Sequence, residues 1–217
     1  LDLKGKPTVA VIEVTLSCDT KNIVESKSLK LYLNSLNQMK CESSEEIEAI
    51  VKKDIEHCVD GCVDVSSYSL DAFCNRGFPS FSGILIDNLD VSIDSYDLDA
   101  SFLLKEKSDC IVTETLYSHL LKTNCPVTNQ PDWASIMIKY TGRQISAGGL
   151  LKYIISYRHH QDFHEQCVER IYSDINAFCQ PQELEVYARY SRRGGIDINP
   201  YRSSRKMRPP LIRISRQ

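Results

Sequence analysis

Asn124-Cys125-Pro126-Val127-Thr128-Asn129-Gln130-Pro131-Asp132-Trp133-Ala134-Ser135-Ile136-Met137-Ile138-Lys139-Tyr140 is a turn that runs straight into a strand, and its order sets the reading of the chain on both sides. Pro126 and Pro131 each hold φ at about −65° and remove a backbone donor, so the stretch up to Asp132 is stiff. From Trp133 to Tyr140 the side chains alternate with the period of a strand. Working outward, the pattern predicts a strand over 110–121, helices over 146–157 and 162–178, and a strand over 183–190.

The first half follows the same plan. A strand is expected over 8–14, and Leu29, Tyr32, Leu33 and Leu36 recur at helical spacing behind a cap at Ser26 or Ser28. Ser43-Ser44 with Glu46 resembles a capping box, opening a second helix whose buried face uses Ile47, Ile50, Val51, Ile55 and Cys58 and which ends near Gly61. Strands are expected over 63–69 and 100–104. Leu29-Lys30 matches Leu151-Lys152 and Asp54-Ile55 matches Asp174-Ile175, at separations of 122 and 120 residues. The expected fold is therefore α+β, a tandem of ββααββ units with antiparallel sheets and paired helices on one face, divided as 1–108 and 109–217. The first copy lacks only a leading strand, as expected if a portion upstream of Leu1 is absent.

Composition narrows the class. The 217 residues carry a net charge of −3 and 42% hydrophobic content. No apolar run approaches the roughly 18 residues of a membrane span, and no signal-peptide pattern is present, so a soluble protein is expected. Cys18, Cys41, Cys58, Cys62, Cys74, Cys110, Cys125, Cys167 and Cys179 are odd in number and without a regular framework, which points to a reducing, cytoplasmic setting. From Arg189 onward nine basic residues share their stretch with only Asp197. This asymmetry suggests an anionic partner, weighed against an ordinary solvated surface.

A free cysteine is usually a small buried hydrophobe, but Cys125 alone of the nine is framed by two prolines, with an acid seven residues on. It is the candidate nucleophile. Asp132 is either a turn cap or a proton donor, and burial beside Trp133 would favour the neutral form a donor needs. His164 and Glu165 open a helix; Glu165 complements the helix dipole there and also suits the paired N–H groups of a guanine-like edge, with Glu25 as a second acceptor. Arg192-Arg193-Gly194-Gly195 resembles an anion loop, and no Gly-x-Gly-x-x-Gly or P-loop is present. His57-Cys58 with Cys62 offers three donors and no evident fourth, so no metal is expected.

Taken together, Glu25-Ser26-Lys27-Ser28-Leu29-Lys30, Cys125-Pro126 through Asp132-Trp133, Phe163-His164-Glu165 and Arg192-Arg193-Gly194-Gly195-Ile196-Asp197-Ile198-Asn199-Pro200 resemble the NADPH-dependent 7-cyano-7-deazaguanine reductase (QueF) family in its two-copy form. The resemblance implies the tunnelling fold and attack of Cys125 on the nitrile carbon to give a covalent thioimide. It further implies that two NADPH molecules reduce this in turn to the aminomethyl product of queuosine biosynthesis. It assigns proton donation to Asp132, support of the nitrogen-bearing intermediates to His164, and the deazapurine to Val24, Glu25, Ser26, His164 and Glu165. It assigns NADPH to Ser26, Lys27, Arg193 and Gly194. A homodimer is implied, with no metal, no membrane and no direct nucleic-acid partner, and an N-terminal segment carried by the family's two-copy members is expected to be missing ahead of Leu1. Two rival readings are a zinc-dependent cyclohydrolase on the same fold, with Cys125 and His164 as ligands, and a nucleic-acid-binding module using the basic tail.

Overall fold

The structure, a computed structural model, describes residues 1–75, 77–104 and 109–217. The chain divides into two compact units, one of Leu1–Gly77 with Gly194–Ile196 and the other of Phe78–Arg193 with Asp197–Gln217. The expected boundary after residue 108 falls on a residue outside those described.

In the first unit β1 (Val11–Leu16) pairs antiparallel with β2 (Val63–Tyr68), and α1 (Ser26–Ser35) and α2 (Ser44–Val59) lie between them in sequence. Val51, Ile55 and Val59 recur one turn apart on α2 and bury with Val63 against Leu29, Tyr32 and Leu33 of α1 and Val14 and Leu16 of β1. Cys58, expected on that face, is exposed, because the i+4 step from Ile55 lands on Val59. The cap of α1 also differs from expectation. Glu25 takes the position, accepting from the backbone N–H groups of Lys27 (2.9 Å) and Ser28 (2.7 Å) and from the Ser28 hydroxyl (3.0 Å). Two orphan donors of the first turn are thereby satisfied. α3 (Leu70–Cys74) follows β2.

The second unit is built on a five-stranded sheet of β3 (Ile84–Leu85), β4 (Ile111–Asn124), β5 (Pro131–Arg143), β6 (Glu183–Tyr190) and β7 (Tyr201–Ser203), adjacent in that order. Only β3 to β4 is parallel. The helices α4 (Ala147–Ser156) and α5 (His164–Cys179) cover one face, where Ile136, Ile138, Tyr140, Leu184, Val186 and Ala188 meet Leu150, Leu151, Ile154, Val168, Ile171 and Ile175. Met137 and Tyr187 point the other way and bury with Phe81 and Ile214. The protein is thus mixed helix and sheet. The strand expected over 100–104 is instead a 3-10 helix, Ala100–Leu104: Asp99 accepts from the Ser101 N–H (2.8 Å) and turns the chain, and Leu103 buries in the core beside α4.

One irregularity positions the site. The pairing of β4 with β5 shifts between Ser118 and Leu121, so Ser118 faces Ile136 while Leu121 faces Ala134. This bulge reverses which side chains of β4 face the helices. Beyond it Leu121 and Thr123 join the helix face, and Thr123 sits opposite Asp132.

Candidate active site

The turn at Cys125 closes on itself. Its N–H donates to Gln130 O and its carbonyl accepts from the Asn129 N–H, both at 2.9 Å, and Asn129 takes the left-handed φ of +54° that the tight return requires. The connector between α4 and α5 is tied to the same turn. The Asn124 N–H donates to His160 O (2.9 Å), the Asp162 N–H donates to Asn124 O (3.2 Å), and the Gln161 amide reaches Asn129 Oδ1 (2.8 Å). These bonds fix the start of α5, and with it His164, beside the start of β5.

Asp132, 7% exposed, is where three residues meet. Its Oδ1 accepts from Arg193 Nη1 at 2.9 Å, and its Oδ2 lies 3.2 Å from His164 Nε2. The His164 ring in turn stacks on Tyr190, with centroids 3.8 Å apart and planes 12° from parallel. Trp133, expected to wall Asp132, belongs to the opposite face, as alternation along a strand dictates. There its ring lies near the guanidinium groups of Arg158 and Arg216, each 5.6 Å from the centroid. The walls of Asp132 are instead Thr123, His164 and Arg193. Several arginines of the basic tail also have partners within the chain: Arg189 bonds Gln217 and Tyr187, Arg205 pairs with Glu183, and Arg216 donates to the carbonyls of His119 and Ala134.

The Cys125 thiol is half-buried. Burial pushes its pKa up, but the Thr128 hydroxyl, the backbone N–H groups of Thr128 and Val127, and the Arg193 side chain outweigh that and bring it down to about 7. Cys167 shows the contrast. One turn into α5 and fully buried, it is pushed up to about 12 by desolvation. Of these two thiols, only Cys125 supplies an appreciable thiolate near neutral pH.

Cys125, Asp132, His164, Glu165 and Arg193 all fall in the second unit. Glu165 is partly exposed in the first turn of α5, and its carboxylate makes no hydrogen bond or ion pair among the described residues. Val24, Glu25, Ser26, Lys27 and Gly194 fall in the first unit. There Val24 packs on the core, the Glu25 carboxylate is held below the usual range by its bonds to the Lys27 and Ser28 N–H groups, and Gly194 adopts a φ of +63°. Sequence reasoning missed Thr128, Tyr190 and the Arg193–Asp132 contact. Thr128 was within reach, since it lies three residues after the thiol in a turn already read as rigid. Among the described residues no group of three or more His, Cys, Asp or Glu is placed to hold a metal ion, and no helix is long and apolar enough to cross a membrane.

An α+β protein with an activated thiol beside a carboxylate, an imidazole and a guanidinium has the equipment of a covalent-catalysis enzyme. Comparison with known proteins narrows this class. Residues 1–67 match the family model "Nitrile reductase, 7-cyano-7-deazaguanine-reductase N-term", and residues 131–209 match "QueF-like protein". Over all 217 residues the chain is 48% identical to the NADPH-dependent 7-cyano-7-deazaguanine reductase of Buchnera aphidicola subsp. Schizaphis graminum (strain Sg), covering 83% of that relative. A solved structure, the archaeosine synthase QueF-Like in its apo form, aligns over 45% of this chain and 96% of its own, with 19% identity and a TM-score of 0.39. The chain belongs to the 7-cyano-7-deazaguanine reductase (QueF) family.

Proposed function

We propose that Cys125 is the nucleophile in the NADPH-dependent reduction of the nitrile of 7-cyano-7-deazaguanine to 7-aminomethyl-7-deazaguanine, a step of queuosine biosynthesis. The observation that carries this assignment is the position of Arg193, which holds Asp132 at 2.9 Å and also helps to lower the Cys125 thiol pKa, joining nucleophile and acid in one electrostatic cluster. The Cys125 thiolate adds to the nitrile carbon. A sulfur–carbon bond forms, one carbon–nitrogen π bond breaks, and Asp132 delivers a proton to the nitrogen, leaving a thioimide on Cys125. NADPH, when bound, supplies hydride; the four-electron change from nitrile to amine takes two equivalents. His164, with Nε2 beside Asp132 Oδ2, attends the nitrogen as it gains protons, and release of the Cys125 sulfur between the two reductions restores the thiol.

Glu165, whose carboxylate has no partner among the described residues, suits the paired N–H groups of the deazaguanine edge. Val24, Glu25 and Ser26 are assigned to the same heterocycle. Lys27 and Arg193 are assigned to the NADPH phosphates as cationic groups, and Ser26 to a neighbouring oxygen of the same molecule. Gly194 and Gly195 both adopt positive φ, and a Cβ on Gly195 would meet nothing within 4 Å, so an anion can approach the backbone there closely. The same reading takes the element order as a tunnelling fold and the assembly as a homodimer. The odd number of cysteines and their lack of a regular framework support a reducing, cytoplasmic setting.

The test is incubation with 7-cyano-7-deazaguanine in the absence of NADPH, followed by intact-mass measurement and peptide mapping. A single adduct on Cys125, absent from Cys125→Ala, is expected. A folded sample that turns over without any adduct on Cys125 would refute the covalent route.

A further inference from the structure

One nitrogen of His164 is turned to Asp132 and the other into the protein: Nε2 lies 3.2 Å from Asp132 Oδ2, whereas Nδ1 is buried and makes no hydrogen bond among the described residues. Functional imidazoles are commonly oriented by a hydrogen bond from the second ring nitrogen. That bond is missing here, and the terminal torsion of histidine is broad and has little preference of its own. Something else must hold the ring with its edge on Asp132.

The contact in place is Tyr190. Its ring lies parallel to the imidazole at 3.8 Å, close enough for full van der Waals contact across both faces. Tyr190 is itself immobilised, fully buried at the end of β6 and paired with Ala134 of β5. Its hydroxyl interacts with Thr123 and Cys167, yet neither Tyr190 Oη nor Thr123 Oγ1 attains hydrogen-bond geometry. The part of Tyr190 in use at the site is therefore the ring face.

We propose that Tyr190 is a positioning residue for nitrile reduction, its ring serving as the platform that keeps the His164 imidazole edge-on to Asp132. This rests on the assignment of His164 to the nitrogen-bearing intermediates. The platform is needed once nitrogen must be protonated under a fixed geometry, whereas the thiolate of Cys125 is set by its own turn together with Arg193. Loss of the ring accordingly slows turnover more than it slows attack.

Tyr190→Phe keeps the platform, and Tyr190→Leu and Tyr190→Met remove it. Each is compared with wild type for melting temperature, for the Cys125 adduct formed without NADPH, and for kcat and KM. Tyr190→Phe is expected within about 2-fold of wild type in kcat, whereas Tyr190→Leu still forms the adduct, keeps KM within about 3-fold and loses roughly 10- to 100-fold in kcat. A ring-deleted variant turning over at the wild-type kcat, or Tyr190→Phe losing as much as Tyr190→Leu, overturns the proposal. Should both ring-deleted variants fail to fold, the wild-type protein decides by NMR. Ring protons of His164, assigned with His164→Gln, are expected upfield from the Tyr190 ring current, and their absence there refutes the stack. A wild-type protein that forms no adduct contradicts the covalent mechanism instead, and the NMR result is unaffected by that outcome.

Discussion

At Cys125 two effects oppose each other, since burial favours the neutral thiol and the donors of the turn favour the thiolate. The donors win, and the sign gives a pH profile. Above about 7 the thiolate dominates and the rate of adduct formation or alkylation is flat; below it the rate falls about tenfold per pH unit as the sulfur is protonated. Thr128→Val removes the hydroxyl donor, so its midpoint should move up toward the ordinary thiol value of about 8.5, as read by iodoacetamide kinetics against pH. An unmoved midpoint would show that the Thr128 hydroxyl does not act on the sulfur. In the same labelling run Cys167, pushed up to about 12 and fully buried, should stay unmodified while Cys125 reacts. Arg193→Ala should lower kcat and slow adduct formation as well as raise the KM for NADPH, because this guanidinium touches Asp132 as well as acting on the thiol. A change in KM alone would leave Arg193 as a cofactor contact only. The rigid turn joining Cys125 to Asp132 was legible because the signal is local, two prolines and an acid within one stretch. The contacts of Arg193 with Asp132 and of Tyr190 with His164 were not, because they depend on which face of the sheet each residue takes.

Between elements the decisive contacts are close approaches of backbone. Gly149, in the first turn of α4, lies under the carbonyl of Phe102, and a Cβ placed on it would come within 2.5 Å of that oxygen. Its neighbour Gly148 has room, with Val91 Cγ1 as the nearest atom at 3.6 Å. Replacing glycine by alanine inside a helix ordinarily stabilises by about 0.5–1 kcal/mol, and overpacking a tight contact costs about 1–3 kcal/mol. Gly148→Ala should therefore be neutral or stabilising and Gly149→Ala destabilising, as measured by urea denaturation. Equal effects would mean that the 3-10 turn yields freely. The contact also explains why the apolar run over 100–104 misled. Five residues are too short for periodicity to separate strand from helix, and what decides is the Asp99 turn and the docking of Leu103 beside α4. The longer elements β5, α5 and β6 were legible because each repeats its period several times. The cap of α1 fell to Glu25 because a longer side chain reaches the same donors that Ser26 and Ser28 were expected to meet.

For the whole molecule, the two units differ in how much they bury. The main core of the second unit draws on β4, β5, β6, α4, α5 and the Ala100–Leu104 turn, whereas the core cluster of the first is Val51, Ile55, Val59 and Val63 around a two-stranded sheet. A two-stranded sheet alone is marginal in water, so α2 must supply most of what holds β1 to β2. A pair of helices between strands was legible in each half of the sequence, but this inequality was not, because apolar residues at the right spacing do not reveal how many neighbours each will find. Local unfolding free energies should follow the inequality. Amides of β1 and β2 should exchange with deuterium well before those of β5 and β6. Ile55→Ala, which removes buried bulk worth about 2–5 kcal/mol, should speed exchange throughout residues 1–75 and leave the β5–β6 ladder protected. Adduct formation at Cys125 should survive that substitution, since the turn, Thr128 and Arg193 all belong to the second unit. Uniform protection across both units, lost together in Ile55→Ala, would show a single cooperative fold in which the smaller core shares the stability of the larger.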